Sequence, residues 1–300
     1  MISSKFRGTG VAIVTPFTSE FAIDFKALER LVNYLIDGGV NYLVVQGTTG
    51  ESVTLTKEEK TQVLDFVHEK VAGRVPLMFG VGGNNTRAVA ADLQYYDHSK
   101  FDAILSVVPY YNKPTQEGIY QHYKFLSKVS PKPILLYNVP GRTVVNMTAE
   151  TTLRIANDCD NILGIKEASG DLTQIQNIID ARPKGFLVIS GDDPITAPII
   201  HLGGDGVISV VANALPEAFS AMVNSALDGN KEASQEEQNN FENITNLMFA
   251  EGNPAGVKAA LYHCGVCGLD VRLPLVKMSN EGVNAMRMEL EKLGQLTIPT

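Results

Sequence analysis

The sequence predicts an α/β fold, a (β/α)8 TIM barrel with an additional C-terminal helical region. Eight apolar runs typical of β-strands occur in order, and a pattern typical of an amphipathic helix lies between most of them. The runs are continuous rather than alternating, as expected for parallel strands that are covered on both faces. Eight such units within roughly 230 residues favour a closed barrel over a doubly wound sheet, which seldom needs so many regular units.

The predicted elements follow one another at regular intervals. Asp24 is a suitable N-cap for the first helix, and Thr56 with Glu59 forms a capping box at the start of the second. The predicted strands are 11–14, 42–45, 76–79, 103–107, 134–137, 162–165, 186–189 and 207–211. The predicted helices are 24–36, a second from 56, 86–99, 116–128, 148–157, 172–179 and a shorter one at 194–201.

Two regions are expected along the chain. Residues 1–233 are expected to form the barrel, and residues 234–300 are expected to form the C-terminal helical region. No linker rich in proline and serine separates the two.

Composition argues against several classes of protein. The net charge of −8 gives no indication of a nucleic-acid partner. No apolar run reaches the ~18 residues needed to span a membrane, and the N-terminus has no apolar segment typical of a secretion signal. Three cysteines argue against a disulfide framework and favour the cytoplasm.

Cys264 and Cys267 form a C-x-x-C pair, a spacing found in metal and redox sites. A zinc site would need a second pair of ligands, and only His263 lies nearby. A redox pair is expected at the start of a helix after a first strand, not near the end of a long chain. We therefore expect two unrelated free thiols, with no metal and no cofactor.

Polar side chains follow the predicted strands at the carboxyl end, where a barrel carries its active site. Histidine is absent from this set, which argues against nucleophilic catalysis that depends on histidine. The carboxylates there have no evident partners for a metal. The candidate residues are Thr48, Thr49, Tyr110, Tyr111, Tyr137, Arg142, Lys166 and Gly191.

Lys166 ends the strand-like run 162–166, directly after the sixth predicted strand, and is followed by a turn at 167–170. Lysine is almost never buried without a partner or a function. Desolvation disfavours the charged form of an amine, and a neutral amine attacks carbonyl compounds to form a Schiff base. The alternative is a lysine whose stem covers apolar surface while its amine reaches water.

The neighbouring groups suit Schiff-base chemistry. Forming a Schiff base moves protons, which Tyr137 and a threonine hydroxyl can transfer. Backbone amides of residues 47–49 can hold one carboxylate, and Arg142 can hold a second. Each group also has a structural interpretation: Tyr137 as a core aromatic, the threonines as a polar turn, and Arg142 as a surface charge.

Four segments resemble the motifs of the 4-hydroxy-tetrahydrodipicolinate synthase family, which is part of the pyruvate-dependent class I aldolase superfamily. They are GTTGE at 47–51, YYNKP at 110–114, YNVPGRT at 137–143 and GIKE at 164–167. The resemblance extends through 204–210 and 272–275 and covers essentially the whole chain. One position departs from the pattern, since the family usually has serine where this chain has Gly141.

The resemblance implies that the chain condenses pyruvate with L-aspartate-4-semialdehyde, the first committed step toward diaminopimelate and lysine. It implies that Lys166 forms the Schiff base with pyruvate and that Arg142 binds the carboxylate of the semialdehyde. It also implies a homodimer or homotetramer. The remaining implied residues are Tyr137, Thr49 and Tyr111 as a proton relay, with Tyr111 reaching a neighbouring subunit's site, Thr48 and Thr49 at the pyruvate carboxylate, and Gly191 and Ile208 lining the same pocket.

Two other functions compete with this interpretation. An N-acetylneuraminate lyase or a 2-keto-3-deoxy sugar acid aldolase would share the lysine and the tyrosine. Those sister enzymes typically show Ser-Thr in place of Thr48-Thr49 and lack the arginine found here at position 142. A catalytically silent, ligand-binding barrel would lack a member of the relay, whereas every member is present in this chain.

The resemblance also bears on regulation by L-lysine. In lysine-sensitive relatives the effector site lies at the subunit interface, and it typically carries histidine or glutamate at the position of Lys60 and glutamate at that of Ala88. Because cationic groups repel at short range, we expect weak inhibition by L-lysine or none. The matching positions are Ser52, Val53, Lys57, Lys60, Asn84, Ala88 and Tyr110.

Overall fold

The computed structural model describes residues 2–296 and confirms the predicted barrel. Eight parallel strands pair in chain order, and the first strand closes the sheet by pairing with the eighth, Gly10 opposite Ile208. The strands are β1 (Gly8–Ala12), β2 (Tyr42–Val45), β3 (Leu77–Gly80), β4 (Ala103–Val107), β5 (Ile134–Asn138), β6 (Ile162–Glu167), β7 (Leu187–Ser190) and β8 (Gly206–Ser209).

Helices surround the barrel, and their first turns follow the capping signals in the sequence. The Asp24 carboxylate accepts the Ala27 amide, and the capping box of Thr56 and Glu59 is formed in full. The helices of the barrel are α1 (Phe25–Asp37), α2 (Lys57–Val71), α3 (Thr86–Tyr95), α4 (Gln116–Val129), α5 (Pro140–Thr143), α6 (Ala149–Asp158), α7 (Leu172–Ala181), α8 (Thr196–His201) and α9 (Pro216–Leu227).

Four further helices form the C-terminal region: α10 (Lys231–Asn240), α11 (Glu242–Ala250), α12 (Ala255–His263) and α13 (Asn280–Lys292). The expected boundary at 233/234 falls inside α10, which packs against α8 and α9. Residues 1 and 297–300, which the two expected regions include, lie outside the described part of the chain. The helices after α10 pack on one another and reach back to the barrel.

Side chains of the strands alternate between two apolar cores. Tyr42 and Val44 of β2 point into the barrel, whereas Leu43 and Val45 pack outward against the helices. The inner core reaches the carboxyl ends of the strands through Tyr137, Ile189 and Ile208. The alternation therefore decides which residues of each strand can reach a site at that end.

The first and last strands begin earlier than predicted. The start of β1 could not be recognised from the sequence, because it contains the glycines at 8 and 10 and glycine is depleted in strands. Gly10 is needed there, since a Cβ would lie 2.2 Å from the Tyr42 ring. β8 ends at Ser209 because the Asp193 carboxylate accepts the amides of Val210 and Val211.

The three cysteines are free and buried, as expected for unrelated thiols. Burial raises the pKa of the Cys264 thiol to about 11 and that of Cys267 to about 12. No helix within residues 2–296 is both long and apolar enough to cross a membrane.

Candidate active site

Lys166 and Tyr137 lie side by side at the carboxyl ends of their strands. The register of β5 and β6 pairs the two residues, and both are less than one tenth exposed. The Lys166 Nζ lies 4.4 Å from the centroid of the Tyr137 ring. The neighbouring strands thus bring the predicted nucleophile and the predicted proton donor into direct contact.

Lys166 is buried without an acidic partner. It is 5% exposed, and it forms no ion pair with any residue between 2 and 296. The other buried lysine, Lys258, is paired with Glu51 at 2.6 Å. A buried lysine without an acidic partner is uncommon outside functional sites, which supports its assignment as the nucleophile.

Gly191 provides the space for the Lys166 side chain. A Cβ at Gly191 would lie 2.9 Å from Cε of Lys166 and 2.8 Å from Cβ of Ala168. The Gly191 amide also donates to the Glu167 carbonyl at 2.7 Å, which fixes the loop after β7. Ile208, the other predicted lining residue, is 1% exposed in the inner core with Tyr137.

A cavity of about 360 Å³ opens at this end of the barrel. Four of its lining residues were predicted from the sequence: Thr48, Tyr110, Tyr137 and Arg142. The volume is within the range of sites that bind small molecules. Lys166 does not itself line this cavity; it adjoins the cavity through its contact with Tyr137, which does.

The threonine pair divides between two environments. Thr48 is exposed and lines the cavity, whereas Thr49 is 2% exposed. The Thr49 Oγ1 accepts a hydrogen bond from Asn253 Nδ2 at 2.9 Å. Gly50 and Glu51 donate back within the loop to the carbonyls of Gly47 and Thr48, and the amides of the two threonines form no such bond within the loop.

Arg142 lies in the short helix α5 and lines the cavity with an exposed side chain. Within residues 2–296 its guanidinium has no acidic partner at ion-pair distance, so it is available to a carboxylate ligand. The adjacent Gly141 replaces the serine that the family pattern predicts. A Cβ there would meet nothing within 4 Å, so the helical turn accepts either residue.

Tyr111 does not reach the cavity of its own chain. Its side chain is 89% exposed, and its backbone has a φ of +74°, a region that is uncommon for residues other than glycine. Tyr110, the preceding residue, does line the cavity. The structure thus brings together Lys166, Tyr137, Thr48 and Arg142, and it leaves Tyr111 pointing away from them.

Three carboxyl groups lie behind the mouth of the barrel. Burial raises the pKa of Glu167, which accepts hydrogen bonds from Asn138, Gln174 and Ser169. Burial also raises the pKa of Asp192 and of Asp193. The positive charge of the nearby Lys166 acts in the opposite direction and lowers the pKa of both carboxyl groups. Within residues 2–296 no group of three or more His, Cys, Asp or Glu residues could hold a metal ion.

The two lysines expected to repel a cationic effector differ in setting. Lys60 lines the cavity, and burial lowers its pKa. Lys57 instead pairs with Asp92 at 2.6 Å, and Asp92 also lines the cavity. The Lys57 charge is therefore largely neutralised, and the expectation of weak inhibition rests on Lys60 and Ala88.

Sequence reasoning did not find the C-terminal residues that contact the threonine loop. Asn253 and Lys258 hold Thr49 and Glu51, although they lie more than 200 positions further along the chain. Lys258 did carry a signal, because it interrupts the apolar pattern of α12. Asn253 carried none, since an asparagine before a proline is typical of any turn.

The chain is similar over nearly its full length to one family of proteins. A model of the Dihydrodipicolinate synthetase family matches residues 5–293. The 4-hydroxy-tetrahydrodipicolinate synthase of Flavobacterium psychrophilum is 50% identical over 290 residues, covering 97% of this chain and 99% of that protein. The protein of the same name from Parabacteroides distasonis is 51% identical over 276 residues, covering 92% and 93%.

A solved structure is similar as well. The crystal structure of the chloride-inhibited dihydrodipicolinate synthase from Acinetobacter baumannii complexed with pyruvate superimposes with a TM-score of 0.93. Its sequence is 40% identical, and the match covers 97% of this chain and 99% of that chain.

Proposed function

The chain belongs to the dihydrodipicolinate synthetase family, and from this premise we propose that it condenses pyruvate with L-aspartate-4-semialdehyde through a Schiff base on Lys166. It is an enzyme of the lyase class, with the 4-hydroxy-tetrahydrodipicolinate synthase activity for which its relatives are named. That reaction belongs to the biosynthesis of diaminopimelate and lysine.

The unpaired burial of Lys166 is the observation that carries the proposal. Its Nζ lies 4.4 Å from the Tyr137 ring centroid, beside a cavity lined by Tyr137. Lysine is almost never buried without a partner or a function, so this position favours a functional role. Pyruvate as its partner is supported by the complex of the Acinetobacter relative.

The chemistry follows from a neutral amine. Lys166 Nζ attacks the keto carbon of pyruvate, and the carbinolamine loses water to give an iminium. Loss of a proton from the methyl group gives an enamine, whose carbon adds to the aldehyde of the second substrate. The substrate's own amino group then displaces Lys166 from the iminium carbon, which closes the ring and frees the enzyme.

Two sets of donors are proposed for the two carboxylates. The free amides of the loop at Thr48 and Thr49, with the threonine hydroxyls, hold the carboxylate of pyruvate. Gly191 and Ile208 line the same pocket. Arg142, which lines the cavity without an acidic partner, holds the carboxylate of the semialdehyde with paired hydrogen bonds.

Proton transfer is assigned to Tyr137, a threonine hydroxyl and Tyr111. The sequence favours Thr49 as the threonine of this relay. Thr48 lines the cavity together with Tyr137, so we propose that it shares the role, while Thr49 remains a member of the relay. Tyr111, exposed in its own chain, would enter the site of a neighbouring subunit.

A homodimer or homotetramer is therefore part of the proposal. Support comes from exposed large apolar side chains near the barrel mouth: Val53, Tyr111, Val144 and Leu273 are all more than two thirds exposed. A cytoplasmic location, expected from the cysteines, remains a prediction.

The test is a reaction with both substrates. Purified protein with pyruvate and L-aspartate-4-semialdehyde is expected to form the cyclic product, and a Lys166→Ala variant is expected to form none. The same protein with N-acetylneuraminate or a 2-keto-3-deoxy sugar acid is the matched control. Cleavage of either compound in place of the condensation would contradict the proposal, and so would the absence of any reaction.

A further inference from the structure

The loop at 47–51 is held from the C-terminal region at two points. Asn253 Nδ2 donates to the Thr49 hydroxyl at 2.9 Å, and Lys258 Nζ donates to Glu51 Oε1 at 2.6 Å. The second Glu51 oxygen accepts the Arg272 amide at 2.9 Å. The buried face of this loop is therefore built by residues far away in the sequence.

Asn253 is itself fixed in place. It is 8% exposed and lies between α11 and α12, directly before a helix whose residues are nearly all buried. The two helices approach so closely that a Cβ on Gly256 would lie 2.2 Å from the Met248 carbonyl oxygen. Lys258, five positions after Asn253, is bonded to both Glu51 and the Asp270 carbonyl. Within residues 2–296 the Asn253 Oδ1 is buried without a partner, so the contact with Thr49 is the hydrogen bond that this side-chain amide forms.

The bond to Asn253 constrains the Thr49 proton. A hydroxyl has one proton, and its oxygen is here the acceptor from an amide N–H. Its own hydrogen is then free to donate elsewhere. At the pyruvate site that donation suits a carboxylate, which accepts hydrogen bonds only.

We propose that Asn253 is a positioning residue, which directs the Thr49 O–H toward the carboxylate of bound pyruvate. This inference rests on the proposed function, because it needs pyruvate at the threonine loop. In this arrangement the C-terminal helical region contributes a residue that orients an active-site side chain. It assigns no contact between Asn253 and substrate.

Four variants test the inference: Asn253→Ala, Asn253→Asp, Thr49→Val and the double variant Asn253→Ala/Thr49→Val. The alanine removes the donor, and the aspartate supplies an acceptor that draws the Thr49 proton away from the substrate. The apparent Kd for pyruvate is read from the fraction of protein trapped by borohydride at increasing pyruvate concentration.

Each single variant is expected to raise the Kd for pyruvate by about tenfold, the effect of one hydrogen bond to a charged group. The double variant is expected to bind no more weakly than Thr49→Val alone, because both changes remove the same interaction. The KM for the semialdehyde is expected to stay unchanged in the Asn253 variants. A merely structural role would instead raise both the Kd for pyruvate and the KM for the semialdehyde. The double variant would then raise the Kd by the product of the two single effects.

The control is Asn161→Ala, which removes a partly buried side-chain anchor at the opposite end of the barrel, where Asn161 donates to the carbonyls of Ser130 and Lys132. Its Kd for pyruvate is expected to match the wild type. If Asn253→Ala does not fold, Asn253→Asp decides the question. Wild-type affinity in either Asn253 variant overturns the inference, whereas a wild type that traps no pyruvate overturns the proposed function instead.

Discussion

Two lysines of this chain are removed from water and are held in different ways. Lys258 lies against Glu51 and an aromatic ring, with its amine satisfied by two oxygens. Lys166 forms no ion pair within residues 2–296, and its Nζ lies 4.4 Å from the centroid of the Tyr137 ring. Paired burial is a structural feature, whereas unpaired burial beside a cavity leaves the amine free to react.

Arg142 is predicted to select the second substrate. Replacing it with alanine removes a charge-assisted contact of about 2 kcal/mol, so the KM for the semialdehyde should rise by about 30-fold. The KM for pyruvate should change much less, because Lys166 and the threonine loop bind that substrate. Arg142→Lys, which keeps the charge but loses the paired geometry, should be intermediate. Steady-state kinetics with each substrate varied in turn measures this, and equal changes for both substrates would contradict it.

Glu167 predicts a pH dependence of stability. Burial raises its pKa above the ordinary value of about 4.5, so the folded state keeps its proton at pH values where the unfolded state has lost it. Stability therefore falls as the pH rises from about 4.5 through the raised pKa. In Glu167→Gln the group does not titrate.

Denaturant unfolding of both proteins across this range checks the prediction. The free energy of unfolding of the wild type minus that of Glu167→Gln should decrease with rising pH. A difference that is flat or that increases would show that the hydrogen bonds to Glu167 outweigh its desolvation.

Among the elements, those with strong local signals were predictable. The helix beginning at Lys57 follows from its capping box, and β5 and β6 follow from their apolar runs. The predicted position of β1 was too late in the chain, because Gly8 and Gly10 lower the strand propensity of its first residues. The closed sheet nevertheless requires glycine at these positions. Local propensity could not reveal this, because the reason is contact with Tyr42 on the neighbouring strand.

The ion pair between Lys258 and Glu51 joins α12 to the loop after β2. Lys258→Met leaves Glu51 buried without its partner, which should cost about 3–5 kcal/mol of stability. The double variant Lys258→Met/Glu51→Gln should recover part of this loss, because no charge then remains buried. Denaturant titration measures both variants.

The control is Lys277→Met, which breaks the ion pair between a half-exposed lysine and Asp270 and should cost about 1 kcal/mol. A double variant that is no more stable than Lys258→Met would mean that the unpaired Glu51 charge is not the source of the loss. If Lys258→Met lost no more stability than Lys277→Met, the buried ion pair would not be important for stability.

For the whole molecule, the closed barrel could be predicted because helices joining eight apolar strands leave few other arrangements. The position of the lysine opposite the tyrosine then followed from the order of the strands. The contact between Asn253 and Thr49 could not be predicted, since the two residues are 204 positions apart and neither belongs to a repeating pattern. It could not be predicted either that Thr48 lines the cavity while Thr49 is buried, because the burial of Thr49 depends on the same distant contact.

Activity should require at least two subunits, because Tyr111 is 89% exposed in its own chain. Tyr111→Phe and Lys166→Ala proteins, each inactive alone, should regain activity when their subunits are exchanged. One site in each hybrid dimer would then hold both native groups. Each variant carried alone through the exchange procedure is the control. No recovery after verified exchange would argue that the relay lies within one chain.

Trapping of the Schiff base tests the central claim most directly. The protein is incubated with pyruvate, reduced with borohydride, digested and analysed by mass spectrometry. Lys166 is predicted to carry the reduced pyruvate adduct, and Lys258, buried but paired, is predicted to remain unmodified in the same sample. Without pyruvate neither lysine should be modified. An adduct on a different lysine, or no adduct at all, would contradict the assignment of Lys166 as the nucleophile.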